Sequence, residues 1–112
     1  MDISIQAVQP DITLLHLTGR LDAASSQLLK QTIQQQIEEG ICKLIINLEQ
    51  VSFIDSSGLV ALVSGLRSVR QKDGHILLSG IQAQAQAVFR LTMLDHIFPI
   101  HPTYYDAQES LR

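Results

Sequence analysis

Val51-Ser52-Phe53-Ile54-Asp55-Ser56-Ser57-Gly58-Leu59-Val60 is the stretch on which both fold and function turn. Just upstream, Lys43-Leu44-Ile45-Ile46-Asn47-Leu48 has the nearly unbroken aliphatic character of a strand covered on both faces. Just downstream, Leu59, Leu62, Val63, Leu66 and Val69 recur at helical spacing, so a helix is expected over about 57–72. Between the two, Asp55, Ser56, Ser57 and Gly58 put small and polar residues where that helix begins. A helix start presents unpaired backbone N–H groups and the positive end of the helix dipole, so an anion is favoured there. The serines are expected to be exposed, with Ser56 or Ser57 capping the helix.

Outward from this stretch the chain alternates strands and helices. Ile3, Ile5 and Ala7 alternate with Asp2, Ser4 and Gln6, the period of a strand with one wet face. Gln9-Pro10-Asp11 reads as a turn into a second, antiparallel strand over 12–18, because so short a link permits a hairpin and not a crossover. Gly19-Arg20-Leu21-Asp22 is expected to break that strand, with Asp22 capping a helix that opens at Ala23-Ala24. In that helix Leu29, Ile33 and Ile37 form the buried stripe, Leu28 widens it, and Gly40 ends it. The next strand runs from Cys42 to Leu48. After the central helix, Asp73-Gly74 turns the chain into the strand 75–79. Residues 82–94 read as a helix with Ala87, Val88, Leu91 and Leu94 on one side. Pro99 confines 97–100 to a sheet edge, and Thr103 with Asp106 marks a short closing helix over 107–111. The order is β-β-α-β-α-β-α-β-α: an α/β fold with a mixed sheet of about five strands and about four helices. Residues 1–112 read as a single domain.

Composition narrows the functional classes. A net charge of −3 with no basic run gives nucleic acid nothing to bind. No apolar run approaches the ~18 residues of a membrane span, and Met1-Asp2-Ile3-Ser4 lacks the features of a signal peptide, so a cytoplasmic location is expected. One cysteine, Cys42, forms no internal disulfide and no cysteine metal cluster. His16, His75, His96 and His101 share no ligand spacing, so no metal or cofactor is expected. Arg67, Arg70 and Lys72 form a modest basic group that reads as a solvated face. The oligomeric state is left at monomer or weak dimer.

An exposed serine between strand and helix raises the question of catalysis. A nucleophile elbow needs Gly-x-Ser-x-Gly; here Gly58 follows Ser56, but Ile54 stands where the first glycine belongs, and no histidine is tied to the site. A Walker phosphate loop is absent, and Asp55 has no acidic companions for a phospho-aspartate magnesium site. The chain therefore reads as no enzyme. What remains is Ser56 as a recipient of chemistry. A phosphoryl group there adds about −1.5 to −2 charges and three acceptor oxygens. The N–H groups of Gly58 and Leu59 are expected to meet some of those oxygens, leaving the fold intact and changing only the surface.

Asn47-Leu48-Glu49-Gln50-Val51-Ser52-Phe53-Ile54-Asp55-Ser56-Ser57-Gly58-Leu59 resembles the signature of the STAS domain, and more narrowly that of the anti-sigma factor antagonists of bacterial partner-switching systems. The resemblance extends to Gly19-x-Leu21-Asp22 and to Asp73-Gly74, and is weakest over 81–96. It implies that the unphosphorylated protein binds an anti-sigma factor serine kinase, that phosphorylation of Ser56 releases it, and that a metal-dependent serine phosphatase resets the switch. It further implies that Asp22, Asp55, Ser57, Gly58 and Leu59 belong to the partner-facing surface. A constitutive STAS adaptor serving a transporter or a signalling assembly stays open, with a small serine hydrolase more remote.

Overall fold

Strand alternation at the N-terminus produces β1 (Asp2–Gln9), which turns at Pro10-Asp11 into β2 (Ile12–Leu21). The computed structural model describes residues 1–111. It continues through α1 (Ser26–Glu38), β3 (Lys43–Ile54), α2 (Ser56–Arg70), β4 (His75–Ser79) and α3 (Ala83–Leu91). A 3-10 turn (Leu94–His96), β5 (Ile100–His101) and α4 (Tyr104–Ser110) close the chain. The sheet has the order β1-β2-β3-β4-β5; β1 is antiparallel to β2, and every later pairing is parallel. The expected element order is the one observed.

Consecutive side chains in β2, β3 and β4 point to opposite faces, and both faces are covered. Leu15, Leu17, Leu44, Ile46, Ile76 and Leu78 join Leu29, Ile33, Leu62 and Phe89 in the larger core beneath α1, α2 and α3. Ile12, Leu14, Ile45 and Leu77 pack against Ala107 and Tyr104 of α4 on the other face. This is why Leu44–Leu48 has no polar alternation: each of those five residues is buried.

Local expectations are corrected at several points, α3 among them: it spans Ala83–Leu91 and buries Ala85 and Phe89, while Ala87 and Leu91 of the expected stripe are exposed. β2 does not break at Gly19; it runs to Leu21, and β3 runs on to Ile54 beside it. Register shifts between His16 and Thr18 and between Gly19 and Arg20 absorb the irregular residues, and Gly19 takes φ +116°, which its missing Cβ allows. α1 opens at Ser26, three residues later than Ala23, because residues 22–25 first close a turn. Its buried stripe is widened by Thr32 and Gln36, while Leu28 is left 42% exposed. α4 begins at Tyr104, since the Thr103 hydroxyl caps it by accepting the Asp106 N–H.

A row of polar groups crosses the α4 side of the sheet. Asn47 Oδ1 accepts from the Glu49 N–H at 3.3 Å and the Ser79 hydroxyl at 3.4 Å. The amide orientation is thereby set, and Nδ2 faces His16 Nδ1 at 3.1 Å. His16 Nδ1 must then accept, so the ring proton sits on Nε2 and is donated to Gln6 Oε1 at 3.2 Å. Buried Asn47 thus fixes a tautomer on the neighbouring strand.

The β1–β2 turn is tied to the start of β3 by Lys43 Nζ, which donates to Asp11 Oδ2 at 2.9 Å. That bond holds the Asp11 carboxyl below its usual range and raises Lys43 above its own. A lowered carboxyl contributes stability above the unfolded-state value and loses it as pH falls through the folded-state value. The stability gap between wild type and Asp11→Asn, read from urea midpoints, is therefore expected at neutral pH. It should vanish below the ordinary aspartate range of about 3.9. A gap unchanged at pH 2 would show that the pair contributes nothing electrostatic.

Candidate functional site

β2 and β3 leave the sheet side by side, with Leu21 and Ile54 as register partners. Asp22 and Asp55 therefore emerge next to one another at the carboxyl end of the sheet. The Asp55 N–H donates to the Leu21 carbonyl at 3.2 Å, so the strand pairing reaches the first residue of the site.

Asp55, with extended backbone (φ −108°, ψ −173°), is the cap of α2. Its Oδ1 accepts the Gly58 N–H at 3.0 Å and its carbonyl accepts the Leu59 N–H, also at 3.0 Å. The expectation that Ser56 or Ser57 caps the helix is thus corrected: both are already helical, and the carboxylate one residue earlier does the capping. The expected anion donors change for the same reason. Gly58 and Leu59 have spent their N–H groups on Asp55, which leaves those of Ser56 and Ser57. Neither serine hydroxyl has a hydrogen-bond partner among the described residues; Ser56 is exposed and Ser57 half-buried. Gly58 and Leu59 lie under the surface, with Leu59 only 9% exposed, and Val60 is the apolar side chain that α2 presents beside them, 58% exposed.

Gly58 is required by contact. A Cβ there would lie 2.5 Å from the Leu21 carbonyl oxygen and 2.8 Å from Leu21 Cγ. The first turn of α2 rests directly on the end of β2.

Asp22 is committed locally. Its Oδ1 accepts from the N–H groups of Ala24 (3.1 Å) and Ser25 (3.3 Å). The Ser25 hydroxyl donates to the Arg20 carbonyl at 2.7 Å and accepts the Asp22 N–H at 3.0 Å. Arg20 Nε stands 3.7 Å from Asp22 Oδ2, and the guanidinium lies over the Phe53 ring, 4.2 Å from its centre. Arg20 and Phe53 are register partners and border the site.

Two residues that the sequence reading passed over hold the site from the other side. β4 ends at Ser79 opposite Asn47, so residues 49–54 of β3 outrun their strand partner. Glutamines fill the gap. Gln82 Nε2 donates to the Glu49 carbonyl at 2.8 Å. Gln84 does more: its Oε1 accepts the Ile54 N–H at 2.9 Å and its Nε2 donates to the Ile54 carbonyl at 3.0 Å. One side chain at the start of α3 thus imitates a strand neighbour for the residue preceding Asp55.

The histidines are engaged elsewhere. His16 binds Gln6 and Asn47, His96 lies 3.8 Å from Asp95, and His101 Nε2 lies 3.5 Å from the Ser110 hydroxyl. Among the described residues no histidine is bonded to the Ser56 hydroxyl, which is exposed. Among the described residues no helix is long and apolar enough to cross a membrane.

These features define a small α/β domain whose distinctive surface is a carboxylate-capped helix start carrying an exposed serine. The STAS domain model matches residues 5–107, and the chain belongs to the STAS domain family. An anti-sigma-B factor antagonist of Listeria monocytogenes is 32% identical over 103 residues, covering 89% of this chain and 90% of that protein. A Thermotoga maritima structure, provisionally assigned as an anti-sigma factor antagonist, superposes with a TM-score of 0.91 at 27% identity, over 96% of this chain and 92% of that one. The Bacillus cell fate determinant SpoIIAA in its phosphorylated form superposes with a TM-score of 0.80 at 23% identity, over 99% and 100% of the two chains, which supports the shared fold.

Two substitutions test the architecture. Gly58→Ala drives a methyl into the Leu21 carbonyl, which is backbone and cannot swing away, and should cost about 1–3 kcal/mol in chemical denaturation. Gln84→Ala strands the Ile54 N–H and carbonyl and should also cost about 1–3 kcal/mol. Wild-type midpoints for both would show that neither contact constrains the site.

Proposed function

We propose that this protein is an anti-sigma factor antagonist that works as a phosphorylation-switched binding module. In its unphosphorylated form it binds an anti-sigma factor that is itself a serine kinase; phosphate on Ser56 releases it, and a metal-dependent serine phosphatase restores it. The observation that carries this reading is the state of Ser56: exposed, free of capping duty, and seated on a helix start that Asp55 holds independently. The 32%-identical Listeria relative, an anti-sigma-B factor antagonist, supports the choice of partner.

The energetics favour a switch in surface over a switch in fold. The helix dipole stabilises an anion at this position by about 0.3–1 kcal/mol. Repulsion between a phosphoryl dianion and Asp55 at ~5 Å in water is on the order of 1–2 kcal/mol. The net cost is at most on the order of 1–2 kcal/mol, small against the ~5–15 kcal/mol that holds a domain together, so the domain stays folded while its partner-facing end gains a bulky dianion. Asp22, Asp55, Ser57 and Ser56 form that face; Gly58 and Leu59 shape it from below. A partner fitted closely to the neutral hydroxyl is displaced by charge and volume together.

Incubation with the cognate kinase and ATP should add one phosphate, and Ser56→Ala should abolish the addition. Ser56→Asp should weaken kinase binding at least tenfold while leaving thermal stability within about 1 kcal/mol of wild type. Phosphate mapped to Ser57 would overturn the acceptor assignment. Partner binding indifferent to Ser56→Asp would make the chain a constitutive adaptor instead.

A further inference from the structure

At the far end of α2 a second surface has the composition of a docking site. Val63, Leu66, Arg67, Arg70 and Gln71 of α2 and its C-terminal cap, with Ile97 from the α3–β5 connection, line a cleft of about 430 Å³. Arg67 and Ser56 are eleven positions apart on one helix, roughly 16 Å at 1.5 Å per residue, so the charged end of the cleft lies well away from the serine, while Val63 and Arg67 also border a pocket with Leu59 and Val60. Arg67 and Arg70 are exposed, and among the described residues neither forms a salt bridge. No carboxylate lines the cleft; Asp95 on the same connection faces His96 at 3.8 Å.

Favourable placement of cations near a helix C-terminus accounts for the two arginines as charges. It does not account for the apolar surface beside them. Of the apolar residues that line the cleft, Ile97 is 37% exposed and Val63 half-buried, so apolar surface lies directly beside the guanidiniums. Clustered exposed apolar side chains rimmed by charge are the mark of an interaction surface.

We propose that this cleft is a second docking surface, and that it seats an acidic amphipathic segment of a protein partner. Apolar side chains of that segment enter against Val63, Leu66 and Ile97, and its carboxylates meet Arg67 and Arg70. Charge complementarity selects this occupant: the protein carries a net charge of −3, yet this face presents two guanidiniums and no opposing carboxylate. Guanidiniums donate to carboxylates in bidentate pairs, which gives register as well as attraction.

The test uses the full chain and a synthetic twelve-residue peptide in which leucine pairs alternate with glutamates, followed by amide chemical-shift mapping. Shifts should concentrate at residues 63–71 and at Ile97, and the affinity should fall as salt is raised. A control peptide with glutamine replacing glutamate should bind at least tenfold more weakly. Arg67→Gln combined with Arg70→Gln should produce the same loss with the fold retained and only the small stability decrease expected from removing two cations near a helix C-terminus, and Ile97→Ser should weaken binding of both peptides. Ser56→Asp should leave peptide affinity unchanged, which separates this surface from the proposed switch. Equal binding of the two peptides, shifts centred elsewhere, or loss of binding in Ser56→Asp would each overturn the proposal. So would sedimentation showing a dimer that the double arginine variant dissolves, since the cleft would then belong to a second copy.

Discussion

The whole site depends on one close approach, that of the α2 N-terminus to the end of β2. Gly58 sits where any Cβ would meet the Leu21 carbonyl at 2.5 Å, and that same carbonyl receives the Asp55 N–H. The backbone of one strand end therefore serves as partner for the next strand and as floor for the following helix. Because Leu21 and Ile54 are in register, Asp22 and Asp55 are delivered to the same edge without a side chain having to reach for the other. Two sequence motifs about thirty residues apart are halves of one contact.

Much of this was legible, for reasons that can be named. The aliphatic run 43–48 is readable because a parallel strand buried on both faces tolerates no polar alternation. The helix of α2 is readable because its buried positions, Leu59, Leu62, Leu66 and Val69, keep helical spacing over about three turns. Where the reading failed, a tertiary partner had overridden a local signal. Gly19 and the polar pair Glu49-Gln50 look like strand ends, yet the strands continue by slipping register together. Leu28 looks like core and is exposed, while Thr32 and Gln36 are buried in its place. The two local signals at the helix start, Asp55 and the serines, compete for one role; the extended backbone at Asp55 gives it the cap.

The glutamines of 82–86 show a different kind of illegibility. As a string, Gln-Ala-Gln-Ala-Gln has the look of low complexity. In space, Gln84 carries a donor and an acceptor at the spacing of a peptide unit, and so completes a strand edge that lost its neighbour when β4 ended. Nothing local announces this, because the need arises on β3, thirty residues earlier. An inspection of unequal strand lengths would have found it: a twelve-residue strand beside a five-residue one leaves backbone groups that some side chain must satisfy.

That arrangement also clarifies why modifying the serine need not disturb the domain. The segment leading to Ser56 is gripped on one side by the Leu21 carbonyl and on the other by Gln84, and the helix start is closed by Asp55 from within. None of these bonds uses a serine hydroxyl. Had Ser56 been the cap, adding a phosphoryl group would have removed a bond worth roughly 1 kcal/mol from the helix it sits on. In the proposed switch, giving the cap to the preceding carboxylate separates stability from modification of the serine. Under that proposal the serine keeps a single property for a partner to sense, which is whether its oxygen carries charge.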